Sequence, residues 1–216
     1  MRIICVSDTH CRLSKIKIPE GDILLHAGDL TFQGNIEEIS QEAKQLEKIK
    51  HRFTHGIVVV PGNHDRLFER NETLAREIMG DTKVLIDQSL VVDGLNFYGS
   101  PHQPWFHSWA YNLQRGEPLR EKWALIPENT DVLITHGPPN GILDIAPHPF
   151  ENHVGCEELA IRVKQLKNLK LHLFGHIHYG YGSTKIDNVT FINASCCTES
   201  YKPTNDPWII EIKSNT

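Results

Sequence analysis

The chain has 216 residues, 39% of them apolar, enough to bury one core but too few for two full domains, so a single domain over residues 1–216 is expected. Lys and Arg number 22 against 27 for Asp and Glu, and the net charge of −5 gives no general field to draw the chain to duplex nucleic acid or an anionic membrane. Five cysteines without zinc-finger or redox spacing, no signal-peptide core before the first motif and no apolar run near the ~18 residues of a membrane span lead to the expectation of a cytoplasmic protein with reduced thiols.

In chain order, residues 3–6 and 23–25 are short apolar runs that end in polar or turn residues, and they read as strands buried on both faces. Residues 35–50 change period: Ile36, Ile39, Ala43, Leu46 and Ile49 follow steps of three and four, with Asn35 and Glu38 placed as an N-terminal cap, so an amphipathic helix is expected. Residues 57–60 form a third buried strand, and a short helix is expected around 68–79. Between 84 and 100 three brief strands are broken at Asp87-Gln88 and at Asp93-Gly94, the latter a hairpin dipeptide.

Residues 101–129, rich in Trp, Pro and His, and residues 138–153 show neither period and read as irregular stretches, functional or disordered, on either side of a strand at 132–134; the aromatic content of the first favours function. Residues 155–167 carry Cys156, Leu159, Ala160, Val163 and Leu166 on one helical stripe. Strands follow at 171–174, 191–194 and 208–212. Strand and helix alternate early while hairpins gather later, which predicts an α/β class with two packed mixed sheets flanked by helices.

Each buried run delivers metal-type side chains at its C-terminal end: Asp8 and His10, then Asp29, then Asn63 and His64, then His136, then His176 and His178. Open α/β sheets place sites outside the carboxyl ends of their strands, so these distant segments should converge. Carboxylate, amide oxygen and imidazole without thiolate suit manganese, iron, zinc or magnesium. Seven ligands are too many for one ion and fit two that share a carboxylate, a pair able to clamp a phosphate and acidify a water.

The segments Asp8-Thr-His10, Gly28-Asp29, Gly62-Asn-His-Asp65, His136-Gly137 and Gly175-His-Ile-His178 resemble, in order and spacing, the five motifs of the calcineurin-like metallophosphoesterases. The wording of Gly99-Ser-Pro-His-Gln-Pro-Trp105, Thr135-His-Gly-Pro-Pro139 and Val154-Gly-Cys156 is similar to the small single-domain MPPED subgroup, whose members act on phosphodiester or nucleotide substrates. The resemblance implies a four-layer α/β/β/α sandwich. It also implies that Asp8, His10 and His178 bind one divalent ion and Asn63, His136 and His176 another, with Asp29 bridging; manganese comes first, with iron, zinc, nickel or magnesium as alternatives. His64 then is not a ligand but sits beside the phosphate, stabilising charge or protonating the leaving oxygen while hydroxide held by the metals attacks phosphorus in line. Asp65 would orient His64 or stabilise its loop.

The implied function is hydrolysis of small phosphodiesters or phosphomonoesters, with cyclic and other nucleotides as the foremost partners. A protein serine/threonine phosphatase is the enzyme alternative, but Gly28-Asp29-Leu30-Thr31 is not followed by the Asp-Arg pair such enzymes carry. A catalytically weak nucleotide-binding or scaffold protein is the other, and the intact His176 speaks against it, since some relatives in the subgroup lose that histidine. Asn63, His64, His102 and Trp105 are expected substrate contacts, with Phe106, Trp109 and Tyr111 as further candidates to stack a base or fix the loop. His107, His148 and His153 share the irregular segments, His26 reads as a packed histidine, and His51, His55 and His172 read as surface or strand-end residues.

Overall fold

The computed structural model describes residues 1–147 and 152–213. Strand β1 (Arg2–Val6) is followed by β2 (Ile23–His26), helix α1 (Ile36–Ile49), β3 (Ile57–Val59), helices α2 (Arg66–Arg70) and α3 (Glu72–Met79), and β4 (Lys83–Val84). A hairpin comes next, β5 (Gln88–Val92) and β6 (Leu95–Ser100), turned by Asp93 and Gly94 with φ of 48° and 73°; the right-handed strand twist favours this positive-φ turn. After it run β7 (Gln103–Pro104), β8 (Asn112–Leu113), α4 (Glu117–Ala124), β9 (Val132–Thr135), β10 (Ile145–Ala146), β11 (Asn152–His153) and α5 (Glu157–Gln165). The chain closes with β12 (Leu171–Phe174), β13 (Gly182–Ile186), β14 (Val189–Asn193) and β15 (Trp208–Glu211).

Two mixed sheets result, in the orders β15-β1-β2-β3-β4 and β13-β14-β12-β9-β6-β5. Strands β1 to β4 pair in parallel, as do β14, β12, β9 and β6, while the outer strands β15, β13 and β5 run antiparallel. Side chains of a strand alternate between faces, and β1 shows what that does here. Ile3 and Cys5 enter the core between the sheets beside Phe97, Val132 and Leu173, whereas Ile4 and Val6 face outward beside Ile39 and Leu46 of α1. On the far side, Leu133 and Phe174 meet Trp123 of α4 and Leu159 of α5. The layers are therefore α/β/β/α, as expected. Among the described residues no helix is long and apolar enough to cross a membrane.

Helix α1 starts where its cap predicts: Asn35 accepts the Glu38 N–H at 2.9 Å, and the Glu38 carboxylate accepts the N–H groups of Phe32, Gln33 and Gly34. The helix also buries Glu42, one of whose carboxylate oxygens has no partner. Burial, aided by the charges of Asp65 and Glu38, pushes its carboxyl up to about 7 against the hydrogen bonds from Leu13 and Gln41. A carboxyl raised in the folded state costs nothing while protonated in both states; the penalty grows as pH climbs from ~4.3 toward 7 and levels off at roughly 3 kcal/mol. Glu42→Gln cannot ionise, so its melting temperature relative to the parent should rise between pH 5 and pH 8 in calorimetry; a constant difference would refute the burial argument.

The departures from the sequence reading are local. The helix expected at 68–79 is two, because Asn71 breaks it and then caps α3 by accepting the Leu74 N–H. The segment 101–129 is not an extended loop: it holds the β7/β8 ladder and α4, whose Leu119 and Trp123 are buried one turn apart. Segment 138–153 contains the β10/β11 ladder, and β13 was not foreseen because its exposed Gly-Ser-Thr-Lys lacks an apolar run. His172 is no strand-end residue: it is fully buried in β12, its Nε2 2.9 Å from the Thr135 hydroxyl, and burial lowers it to about 3.

Candidate metal centre

All five ligand-bearing strands end on one side of the sandwich. The turns that leave them are tied together by backbone bonds, Asp8 N–H to Gly28 O at 2.8 Å, His10 N–H to Asp29 O at 3.0 Å and Gly175 N–H to His136 O at 2.9 Å. Four of the seven expected ligands lie in the left-handed region, with φ of 51° at Asp8, 43° at His10, 54° at Asp29 and 67° at His176. Such backbones persist only where surrounding contacts over-determine them, and they gather at functional sites. Glycine permits the closest approaches: a Cβ on Gly175 would meet an Asp8 carboxylate oxygen at 2.0 Å, and one on Gly62 an Asp29 oxygen at 2.2 Å.

The structure brings the predicted ligands into two sets, Asp8 with His10 and His178, and Asp29 with His136 and His176, each with candidate ligand atoms within 4.8 Å of one another. Asn63 joins the second set, its Oδ1 2.9 Å from His136 Nε2. His64 falls with His10 and Asp29 in a third grouping.

Imidazole orientation tests whether these residues suit a cation. Nδ1 of His10 faces Thr31 O at 3.2 Å, that of His136 faces Ala27 O at 3.0 Å and that of His178 faces Thr198 O at 3.0 Å. A carbonyl only accepts, so the proton lies on Nδ1 and Nε2 is turned inward, the arrangement that orients metal-binding histidines. Burial lowers His10 to about 2 and His176 to about 3, leaving neutral rings with free lone pairs. The Nε2 atoms of His10 and His178 approach to 3.2 Å, a separation that calls for a proton or a cation between them.

The carboxylates ask for the same charge. Burial raises Asp29 well above the usual carboxylate range, and the charges of Asp8 and Asp65 add to that. Asp8 is driven up by burial yet ends well below its ordinary value, because His178, His136 and His10 surround it. Reciprocally, Asp8 lifts His178 to about 9 despite burial. Positive charge is thus preferred where the ligand atoms converge, and the oxygen/nitrogen donor set fits divalent ions.

His64 donates from Nδ1 to Phe32 O at 2.6 Å, and its Nε2 lies 3.8 Å from Asp29 Oδ2. Its ring rests on Trp109, centroids 4.1 Å apart, and the Arg66 guanidinium also lies over the Trp109 ring, at 4.3 Å from its centroid. Of the two roles for Asp65, the geometry supports loop stabilisation: its carboxylate accepts the N–H groups of Leu30, Thr31 and Gly62 and the Thr31 hydroxyl, while the His64 ring is held by Phe32 instead. His26 is packed as expected: Nδ1 accepts the Gly28 N–H and Nε2 meets the Thr9 hydroxyl.

His102 does not reach this cleft. Its Nε2 donates to Asp87 at 3.0 Å, and Asp87 also accepts from Ser100 and Lys122, so the cluster pins α4 to the start of β5. Burial would raise the Asp87 carboxyl, yet His102, Lys122 and Ser100 hold it well below the carboxylate range. A depressed carboxyl contributes stability above its unfolded pKa of ~3.9 and loses it as pH falls through the folded value. Asp87→Ala should therefore cost about 2–4 kcal/mol at pH 7 and much less below pH 2, measurable by urea denaturation. An equal cost at both pH values would mean that packing, not charge, is what the cluster supplies.

Trp105 also lies outside the metal cleft, on an adjoining one. His107 is exposed, His153 donates to Asp144 at 2.6 Å, and His148 is outside the described residues. The sequence reading missed Ser195, whose hydroxyl lies 2.8 Å from Asp8 Oδ2, Thr198, whose carbonyl fixes His178, and Tyr201, whose ring meets His10 edge-on at 4.8 Å.

Fold and centre together define a metal-dependent phosphoesterase, and the comparisons agree. A sequence model described as "Calcineurin-like phosphoesterase" matches residues 1–180, and the chain belongs to that family. It is 39% identical over 234 aligned residues to the human Metallophosphoesterase domain-containing protein 1, covering 98% of this chain and 71% of the human protein. One solved structure superposes with a TM-score of 0.63 at 15% identity, over 98% of this chain and 99% of its own. A Staphylococcus aureus protein named as a candidate 5'-nucleotidase, solved with alpha-ketoglutarate, gives 0.52 at 14% identity over 100% of this chain and 55% of its own.

Proposed function

We propose that the protein hydrolyses small phosphodiesters or phosphomonoesters, nucleotides among them, at a two-ion centre. In this reading Asp8, His10 and His178 hold one ion, Asn63, His136 and His176 the other, and Asp29 both, with manganese the first candidate. The observation that carries it is the set of histidines, His10 and His136 buried and His178 half-buried, whose Nδ1 protons are spent on backbone carbonyls while Nε2 turns toward two buried carboxylates. When bound, the ions supply the positive charge that binds a phosphate and eases ionisation of the attacking water.

What the chain's own groups contribute can be read from their surroundings. Among the described residues no Lys or Arg lines the cleft, so the substrate's charge falls to the ions. Because His64 spends one proton on Phe32, it can donate from Nε2 only as an imidazolium. It then hands the Nε2 proton to the departing oxygen and takes one back from water. Phe106, Trp109, Tyr179 and Tyr201 wall a cleft of about 270 Å³, which favours substrates with an organic group over inorganic polyphosphate.

A screen of cyclic nucleotides, nucleoside monophosphates and model mono- and diesters with Mn²⁺, Mg²⁺, Ni²⁺ and Zn²⁺ tests this reading. Metal-dependent release of alcohol or phosphate from at least one class is expected. No turnover of any ester by protein shown to hold two ions would count decisively against it.

A further inference from the structure

We propose that the second cleft, beside the metal centre, seats a flat, uncharged aromatic ring carried by the alcohol half of the phosphate ester. The proposal rests on the phosphoesterase reading above and adds the chemistry of the group that is recognised. The cleft measures about 280 Å³ and is walled by Trp105, Phe106, Pro138, Val154 and Ile177. Phe106, Ala146, His176 and Ile177 line both clefts, so a molecule seated in the second touches a proposed metal ligand with one edge.

Arg115 and backbone N–H groups of its wall are already committed. Arg115, the charged side chain of the wall, donates to Glu157 at 2.6 Å and to the carbonyls of Gly155 and Val154 at 2.8 and 2.7 Å. Backbone N–H groups of the floor are taken as well: Val154 donates to Asp144 O, Gly155 to the Asp144 carboxylate and Cys156 to Pro138 O. A charged or strongly hydrogen-bonding group would lose water there and gain little. An apolar one gains.

The wall is also pre-formed and open for stacking. Trp105 and Phe106 leave 56% and 53% of their surface exposed, while their backbones are fixed by Trp105 N–H to Leu113 O and by the Asn112 amide on Phe106 and His107. Trp109, which walls the metal cleft, is already engaged, with His64 stacked on it and the Arg66 guanidinium over its ring. Ring stacking therefore falls to the Trp105 side, where an edge of the ring lies next to His176.

Equilibrium binding to the Mn²⁺-loaded protein tests this with 1-naphthyl phosphate, adenosine 5'-monophosphate and glycerol 2-phosphate, which share a phosphate and differ in the alcohol. At least one ring-bearing ester should bind about tenfold more tightly than glycerol 2-phosphate, within the usual range for a base on an aromatic face. That ratio should fall toward one in Trp105→Ala, a surface change, and in Val154→Trp, which fills the cleft. An advantage of both ring esters assigns the cleft to aromatic rings including nucleobases; an advantage of the naphthyl ester alone assigns it to a non-nucleoside aryl group. A ratio near one in the parent, or one that survives in both variants, overturns the proposal alone. Failure of all three esters to bind, glycerol 2-phosphate included, overturns the phosphoesterase reading and this proposal with it.

Discussion

Asp29→Ala is expected to bring metal content from near two ions per chain to below one and to reduce turnover by at least ~10³-fold, because a single carboxylate serves both ligand sets. The geometry sets up that double loss: Asp29 Oδ1 lies 3.4 Å from His136 Nε2 and Oδ2 lies 3.8 Å from His10 Nε2, so its two oxygens face the two groups of histidines. Misfolding could mimic the result, and the metal-free melting temperature separates the two. Burial and neighbouring carboxylates already burden Asp29, so removing it should leave the metal-free fold no less stable. Elemental analysis that still finds two ions in the variant would sink the bridging role.

His64→Gln should behave in the opposite way, keeping two ions while kcat falls by roughly 10²–10⁴-fold, the usual worth of a positioned proton donor. Its ring is oriented by Phe32 and Trp109 rather than by a ligand, so the amide can occupy the space without disturbing Asp29, which keeps the backbone N–H of residue 64 at 2.8 Å. His176→Ala is the control, in which metal and turnover should disappear together. If His64→Gln also emptied the centre, the residue would belong among the ligands, as its grouping with His10 and Asp29 allows.

Much of the centre is legible in the sequence because its ligands follow apolar runs and sit beside glycines that let backbones approach. What lies just outside the ligands is not legible. The groups that orient His10, His136 and His178 are the carbonyls of Thr31, Ala27 and Thr198, and every residue type has a carbonyl. Tyr201 and Ser195 reach the site only because a turn after β14 folds back over β1, joined by the Ser7–Ser195 bridge. Helix α4 was hidden for a different reason. Its Trp and Pro resemble the aromatic loop before it, and only the pairing of Leu119 with Trp123 at one-turn spacing betrays a buried face. The aromatic segment likewise revealed that a ring surface exists, but not that Trp109 is engaged by His64 and Arg66 while Trp105 is exposed, which depends on where Arg66 and His64 come to lie.

The distance along the chain between partners in the centre has a consequence for how the protein comes into being. His10 and His178 face each other across 168 residues of sequence, and both sheets must be assembled and docked before their nitrogens meet. Loop closures of that length carry a large entropic cost and belong to the late part of folding. A nascent chain that has emerged only through β4 holds Asp8, His10, Asp29 and Asn63 but not His136, His176 or His178, which complete the two proposed ligand sets. Ions held as proposed would bind residues of both sheets and so act as a clasp between the two halves. By mass action such a clasp would make the finished protein harder to open as free metal rises, coupling its lifetime against proteolysis to the metal supply of its surroundings.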